Sequence, residues 1–184
     1  MDYIFMTDSD SDLPLHLKQE LDIPVVEMPY SVDGKEYFDD LGLTLDHKSY
    51  YNKMRAGAVP TTSALNEEAY IEIFEPLLAG GKDVLFIAFS SKMSATLQAL
   101  ARAREEMLKK YPERKFRVVD TLSISAPMTI LVLKAHAMYR AGKSMEDVAD
   151  WVEANKFRAQ AWVTVDDLKY LKRGGRIKPV FRGV

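Results

Sequence analysis

Carboxylates recur at every second position in Thr7-Asp8-Ser9-Asp10-Ser11-Asp12. In a loop, that spacing can hold a hard cation or serve phosphoryl chemistry. The stretch begins like a calcium loop, but Leu13 stands where the turn glycine belongs and Gln19 where the bidentate glutamate belongs. A phosphatase-like role needs a nucleophile, a partner aspartate and supporting groups as well, and the sequence assigns none of them. Asp and Ser are also ordinary turn and cap residues, and that role weighs more here. A second hydroxyl-rich stretch is Ser90-Ser91-Lys92-Met93-Ser94-Ala95-Thr96. Placed between a strand and a helix, its hydroxyls and the free backbone N–H groups of the helix suit a carboxylate or phosphate. Simple helix capping by Ser91 or Ser94 competes with that reading. The stretch has no Gly-Lys-Ser or Gly-Lys-Thr, which disfavours a nucleotide cradle. The third stretch, Pro60-Thr61-Thr62-Ser63, is weak alone, because Thr and Ser often bond locally in turns.

Other polar residues carry less. His16, His47 and His136 are isolated and make no ligand spacing, which leaves them to surfaces or core edges. The methionines suit adaptable packing or a pocket for a flexible chain better than a cofactor box. Lys169, Lys172, Arg173, Arg176 and Lys178 read as a solvated basic end.

The elements that must position these loops alternate between short apolar runs and amphipathic segments, the pattern of β-α units around a largely parallel sheet. Tyr3 to Met6 reads as the first buried strand, with Asp12 as N-cap of a helix through Leu13, Leu17 and Leu21. Val25, Val26 and Met28 read as a second strand, and Asp33-Gly34 as a turn before Tyr37-Phe38. Helices are expected from Asp46 to Gly57 and from Asn66 to Gly80-Gly81. Val84-Leu85-Phe86-Ile87 is the central strand by its unbroken apolarity, leading through the Ser90 loop into a helix with Leu97, Leu100 and Leu108. Arg117 to Val119 repeats the strand signal. Helices follow over Ala126 to Arg140 and from Ser144, then a last strand over Ala161 to Val165 and a short turn from Asp167 to Lys172. In such folds ligands sit beyond the carboxyl ends of the strands, where all three hydroxyl and carboxylate loops fall.

The 184 residues, 47% hydrophobic, suit one domain with a real core. Twenty-five basic against 27 acidic residues give a net charge of −2, which offers no global attraction for nucleic acid or an anionic membrane. With no cysteine there are no disulfides, thiolate metal sites or thiol nucleophiles, in keeping with a reducing compartment. Without a basic leader or an apolar run of about 20 residues, the expectation is a cytoplasmic protein with no integral membrane segment.

Taken in order, the loops resemble the DegV family. Thr7-Asp8-Ser9 with Asp12-Leu13-Pro14 resembles its opening, Thr62-Ser63 its Thr-Ser loop, and Ser90-Ser91 through Ser94, Thr96 and Gln98 its Ser-Ser-x-x-Ser-Gly-Thr-x-Gln motif. Val119-Asp120-Thr121 resembles the family's Val-Asp-Ser. Asp166-Asp167-Leu168, Tyr170-Leu171 and Arg173-Gly174-Gly175-Arg176-Ile177 resemble its most specific signature. The matches cover nearly the whole chain.

The resemblance implies a mostly parallel sheet flanked by helices, joined in the family to a second domain that this chain lacks. Residues 1–177 would form the DegV-type domain and 178–184 a short tail, where Lys178-Pro179-Val180 resembles the start of that second domain. It implies a binder of a long-chain fatty acid, not an enzyme and without cofactor or metal, whose carboxylate is held by Thr62 and Ser94. A separate fatty acid kinase is the implied partner, and exposure of the tunnel rim implies a homo-oligomer. Asp10-Ser11 replace the usual Thr-Ala, Ala64-Leu65-Asn66 the usual Gln-Pro-Ser, and Ala95 the motif glycine. Two other readings stay open: a metal-dependent phosphotransfer enzyme using Asp8, Asp10 and Asp12, and a truncated interaction domain without ligand.

Overall fold

In the computed structural model of the protein, residues 3–165, 167–173, 175 and 177 are described. Asp166, Gly174, Arg176 and residues 178–184 lie outside the described residues, and with them part of the C-terminal signature and the whole expected tail.

Four strands make the main sheet: β1 (Tyr3–Asp8), β2 (Val25–Val26), β6 (Asp83–Ala88) and β7 (Phe116–Asp120), in the order β2-β1-β6-β7. Every pair is parallel. β6 is central, as its apolar run requires: Val84 through Ala88 are wholly buried. Strand alternation sorts the side chains into two clusters. On one face Tyr3, Phe5, Leu85 and Ile87 pack against helices α5 (Ser125–Arg140) and α6 (Met145–Asn155). On the other, Met6, Val84, Phe86 and Ala88 meet α3 (Glu67–Ala79) and α4 (Thr96–Lys110) through Tyr70, Phe74, Leu78, Leu100, Ala103 and Met107. The result is a helix-sheet-helix sandwich.

A second sheet, antiparallel and in the order β4-β3-β5, joins β3 (Pro29–Val32), β4 (Lys35–Phe38) and β5 (Thr61–Thr62). Asp33 and Gly34 both take positive φ, 54° and 75°, so the β3–β4 hairpin closes on the primed turn that Asp-Gly favours. Tyr30 faces Tyr37 across this hairpin with ring centroids 5.4 Å apart.

Three helix starts are as expected. Asp46, Asn66 and Ser144 each accept a hydrogen bond from the backbone N–H three residues on, opening α2 (His47–Arg55), α3 and α6. Two expectations fail. Asp12 does not cap a helix: it adopts a left-handed conformation that ends a 3-10 turn over Ser9–Ser11, and α1 (Leu15–Leu21) starts after Pro14. Ala161 to Val165 form no strand, and Trp162 and Val163 stand 94% and 79% exposed. β-forming residues without a partner strand cannot satisfy their backbone as a strand. A short helix, α7 (Lys169–Arg173), follows. None of the helices among the described residues is long and apolar enough to cross a membrane.

Candidate functional site

The loops that leave the carboxyl ends of β1, β6 and β7 meet at one end of the main sheet, the usual ligand position in this architecture. The β1 loop is the hub. Thr7 donates its hydroxyl to the Ile87 carbonyl at 2.9 Å, Ser11 donates to the Asp8 carbonyl at 2.7 Å, and Ser9 accepts the Met28 N–H at 3.1 Å. These hydroxyls are buried joints between β1, β6 and the segment leading to β3. Only Ser11, bonded within its own turn, fits the turn-and-cap reading; Thr7 and Ser9 reach across the fold.

That reading does not hold for Asp8, which is buried rather than at the surface. One carboxylate oxygen, Oδ2, accepts the Phe89 N–H at 2.8 Å, while Oδ1 is buried without a partner. Burial above all, with the Asp10 charge second, pushes the Asp8 carboxyl well above the ordinary carboxylate range, against the pull of the Phe89 and Asp10 backbone N–H groups. Asp10 is pushed up to about 6 by burial and by the charges of Asp39 and Asp12. Asp39, just beyond β4, is raised too, chiefly by burial. Among the described residues, no three His, Cys, Asp or Glu side chains are grouped to hold a metal ion. The alternating carboxylates therefore do not form the cation site their spacing suggested, because Asp8 turns inward toward the core.

Sequence reasoning placed the headgroup contacts at Thr62 and Ser94. Thr62 is exposed on β5, opposite Tyr30, and Ser63 N–H bonds to the Pro29 carbonyl at 3.3 Å. Leu65, between Thr62 and α3, is buried in the same cluster as Tyr70. Ser94 lies between β6 and α4, half-buried, with its Oγ 2.7 Å from Thr96 Oγ1 and accepting the Thr96 N–H at 3.3 Å. The N-cap position of α4 belongs to Ala95, whose side chain cannot cap. Ser94 thus braces the start of α4 from one residue further out. The preceding turn is fixed independently: Ser90 is buried and accepts the Lys92 N–H, and Asp120 accepts the Ser91 N–H. Thr62 ends β5, and Ser94 lies in the loop after β6. What relates them is position: each precedes one of the two helices that cover the same face of the sheet, α3 and α4.

Backbone conformations at this end of the sheet are costly. Asp12, Leu41 and Leu122 take φ values of 49° to 65° in the loops after β1, β4 and β7, and Ser125, the first residue of α5, takes 57°. Two further left-handed residues, Asp22 and Asp33, close α1 and the β3–β4 turn, so this conformation is not confined to the loops beyond the strands.

Two residues at this end of the sheet escaped the sequence reading. Tyr70, in the first turns of α3, was an apolar-face position, yet its Oη is buried without a partner. Asp39 belongs to no motif. For Tyr70 a signal existed, because a tyrosine on a core-facing stripe carries a polar tip that needs a partner.

This geometry can be set beside known proteins. A sequence model of the family described as uncharacterised protein, DegV family COG1307, matches residues 4–183. The chain belongs to the DegV family. The DegV domain-containing protein CPE0026 of Clostridium perfringens is 39% identical over 175 residues, which are 95% of this chain and 60% of that protein. Among solved structures, a DegV family protein of Thermus thermophilus described by its fatty acid binding is 31% identical, with a TM-score of 0.76 over 96% of this chain and 61% of the other. Bacillus subtilis DegV, described as a fatty acid binding protein, is 26% identical with a TM-score of 0.77 over the same shares. The chain thus spans about 60% of the length of the DegV relatives it matches.

Proposed function

We propose that the chain binds a long-chain fatty acid, with the carboxylate at the crevice between the α3 and α4 junctions and Thr62 and Ser94 donating to it. The observation that carries this reading is the placement of both hydroxyls: each stands just ahead of a helix on one face of the sheet, at its carboxyl end. Membership of a family in which the Thermus thermophilus and Bacillus subtilis proteins are described by fatty acid binding supports the ligand class. In this reading residues 1–177 are the binding domain and 178–184 a tail. The protein serves in the cytoplasm as an acyl carrier that presents the carboxylate to a separate fatty acid kinase and catalyses nothing itself.

Hydroxyls suit that task. They orient a carboxylate by one hydrogen bond each without a fixed counter-charge, so the acid end stays reactive. Mass spectrometry of the purified, denatured protein tests the reading: a copurified acid of about 14 to 18 carbons, a length that buries on the order of 14 methylenes, is expected. Protein that carries no lipid and takes up none from added oleate refutes it.

A further inference from the structure

The two buried side-chain oxygens without partners at this end of the sheet, Asp8 Oδ1 and Tyr70 Oη, belong together. Ile4 and Met6 send their side chains to the α3–α4 face, and strand alternation gives Asp8 the same face. Tyr70 enters that face from α3, wholly buried. The charges of Asp8 and Asp10 reach its hydroxyl and, after burial, raise its pKa further. Buried polar atoms normally have partners. Two that lack one, on the same face of the sheet, call for an oxygen from outside the fold.

We propose that Asp8 and Tyr70 form the inner wall of the headgroup site and hold one oxygen of the bound carboxyl group between them, Tyr70 donating its hydroxyl and Asp8 a proton. This rests on the fatty-acid reading above. Asp8 is suited to the part because its burial and the neighbouring Asp10 charge favour the protonated form, and only that form donates. Asp8 and the ligand then share a single proton, as paired carboxyl groups do. The titratable groups around the pair are Asp10 and Asp12 in the same loop, Asp39 beyond β4 with His47 near it, and Tyr70 itself. All but His47 are acidic. Loss of the Asp8 proton therefore sets a carboxylate against the ligand with little nearby to offset it. Asp8 and Tyr70 act here as positioning residues for the headgroup, inside the ring of Thr62 and Ser94.

The test titrates oleic acid into the full chain, as wild type, Tyr70→Phe, Asp8→Asn and Ser94→Ala, across a pH series, with thermal unfolding of each protein free of lipid. Tyr70→Phe is expected to weaken binding by roughly tenfold, the effect of one charge-assisted hydrogen bond, while its unfolding temperature stays level or rises. Removing a hydroxyl that has no partner in the fold costs the fold nothing. Wild-type affinity is expected to fall with rising pH. Asp8→Asn keeps a donor that cannot titrate, so it should bind within a few-fold of wild type at low pH with a flatter profile. Wild-type affinity in Tyr70→Phe, or the same pH slope in Asp8→Asn as in wild type, overturns the inner wall. If Ser94→Ala weakens oleate binding and Tyr70→Phe does not, the inner wall alone has failed; if wild type binds no oleate at any pH, the fatty-acid reading has failed with it.

Discussion

Ser94→Ala separates a ligand contact from a helix brace. Ser94 Oγ accepts the Thr96 N–H at 3.3 Å and sits 2.7 Å from Thr96 Oγ1. A hydroxyl has one proton to give. When Thr96 donates to Ser94, the Ser94 proton is released toward the crevice, and Thr96 becomes the residue that aims it. Removing Ser94 Oγ then has two effects. The fold loses a cap-like bond at the start of α4, about 1 kcal/mol of stability. The ligand loses a charge-assisted hydrogen bond, about 1.5–3 kcal/mol, or roughly tenfold to more than a hundredfold in affinity. The assay is competitive displacement of a fluorescent fatty acid by palmitic acid and by hexadecanol, with urea unfolding run in parallel. The acid should lose more than the alcohol, because only the acid presents a carboxylate. Thr62→Val should repeat the pattern, and the double mutant should fall short of the sum, since both hydroxyls address one headgroup. Thr96→Val, which leaves Ser94 in place but unaimed, should cost only a few-fold. Equal losses for acid and alcohol, or lower stability with unchanged affinity, would remove Ser94 from the headgroup site and leave it a structural residue.

Further outcomes follow from the same packing and charges. The folded Asp10 carboxyl holds its proton up to about 6, against about 3.9 unfolded, so the native state binds more protons between those values and stability falls as pH rises through that window. Asp10→Asn should therefore stabilise the protein at pH 7 by on the order of 1–3 kcal/mol and change little at about pH 3.5; an equal gain at both, measured by thermal unfolding, contradicts the electrostatic cause. Phe74 stands 5.3 Å from the Phe86 ring and 4.7 Å from Phe116, all buried, and Phe74→Ala should cost about 3–5 kcal/mol in urea unfolding. Trp162, Val163 and Leu168, 94%, 79% and 61% exposed, make self-association the expected state at tens of micromolar; light scattering should show it weakened by Trp162→Ser, and a monomer throughout contradicts it.

What could be read from the sequence was set locally or by an unbroken pattern. β6 announced itself because a strand buried on both faces must be apolar at every position. Asn66 and Ser144 cap the helices that follow them through bonds spanning three residues, and Asp33-Gly34 has a turn conformation that few other pairs adopt. Asp12 misled because it has the chemistry of an N-cap, whereas Pro14 sets the actual start of α1. Trp162-Val163-Thr164-Val165 has strand composition, but a strand is a pairing, and composition does not supply the partner. The hydroxyls of Thr62 and Ser94, on which the proposed function rests, were visible as motifs in order. The burial of Asp8 was not, because it depends on a hydrogen bond from Phe89, 81 residues away. The alternating spacing suggested three equivalent carboxylates, and the fold makes them unlike: Asp8 is buried, Asp10 is partly so and Asp12 is exposed.

That difference bears on how a carrier of this kind would work. About 14 methylenes at roughly 0.8 kcal/mol each give a gross gain near 11 kcal/mol, before the costs of association and ordering. Two hydroxyl contacts to the carboxylate contribute about 1.5–3 kcal/mol each. The tail therefore sets affinity and the headgroup sets orientation. A lysine or arginine at the headgroup would tighten binding, but a fixed cation also lowers the nucleophilicity of the carboxylate that a kinase must phosphorylate. The carboxyls at this end of the sheet, Asp8, Asp10 and Asp39, have raised pKa, and the cation in the Ser90 loop, Lys92, is exposed. In the proposed reading such a site would hold an acid through its tail. Its affinity then depends on how much apolar wall encloses the chain. These 184 residues span about 60% of the length of their DegV relatives. If the wall governs affinity, replacing oleic acid with a ten-carbon acid should weaken binding by several orders of magnitude, while the selectivity for acid over alcohol, measured at each length, should stay constant. A selectivity that shrank with the tail would mean that head and tail are not separable, and that the hydroxyls act through the packing of the chain instead of through the carboxylate.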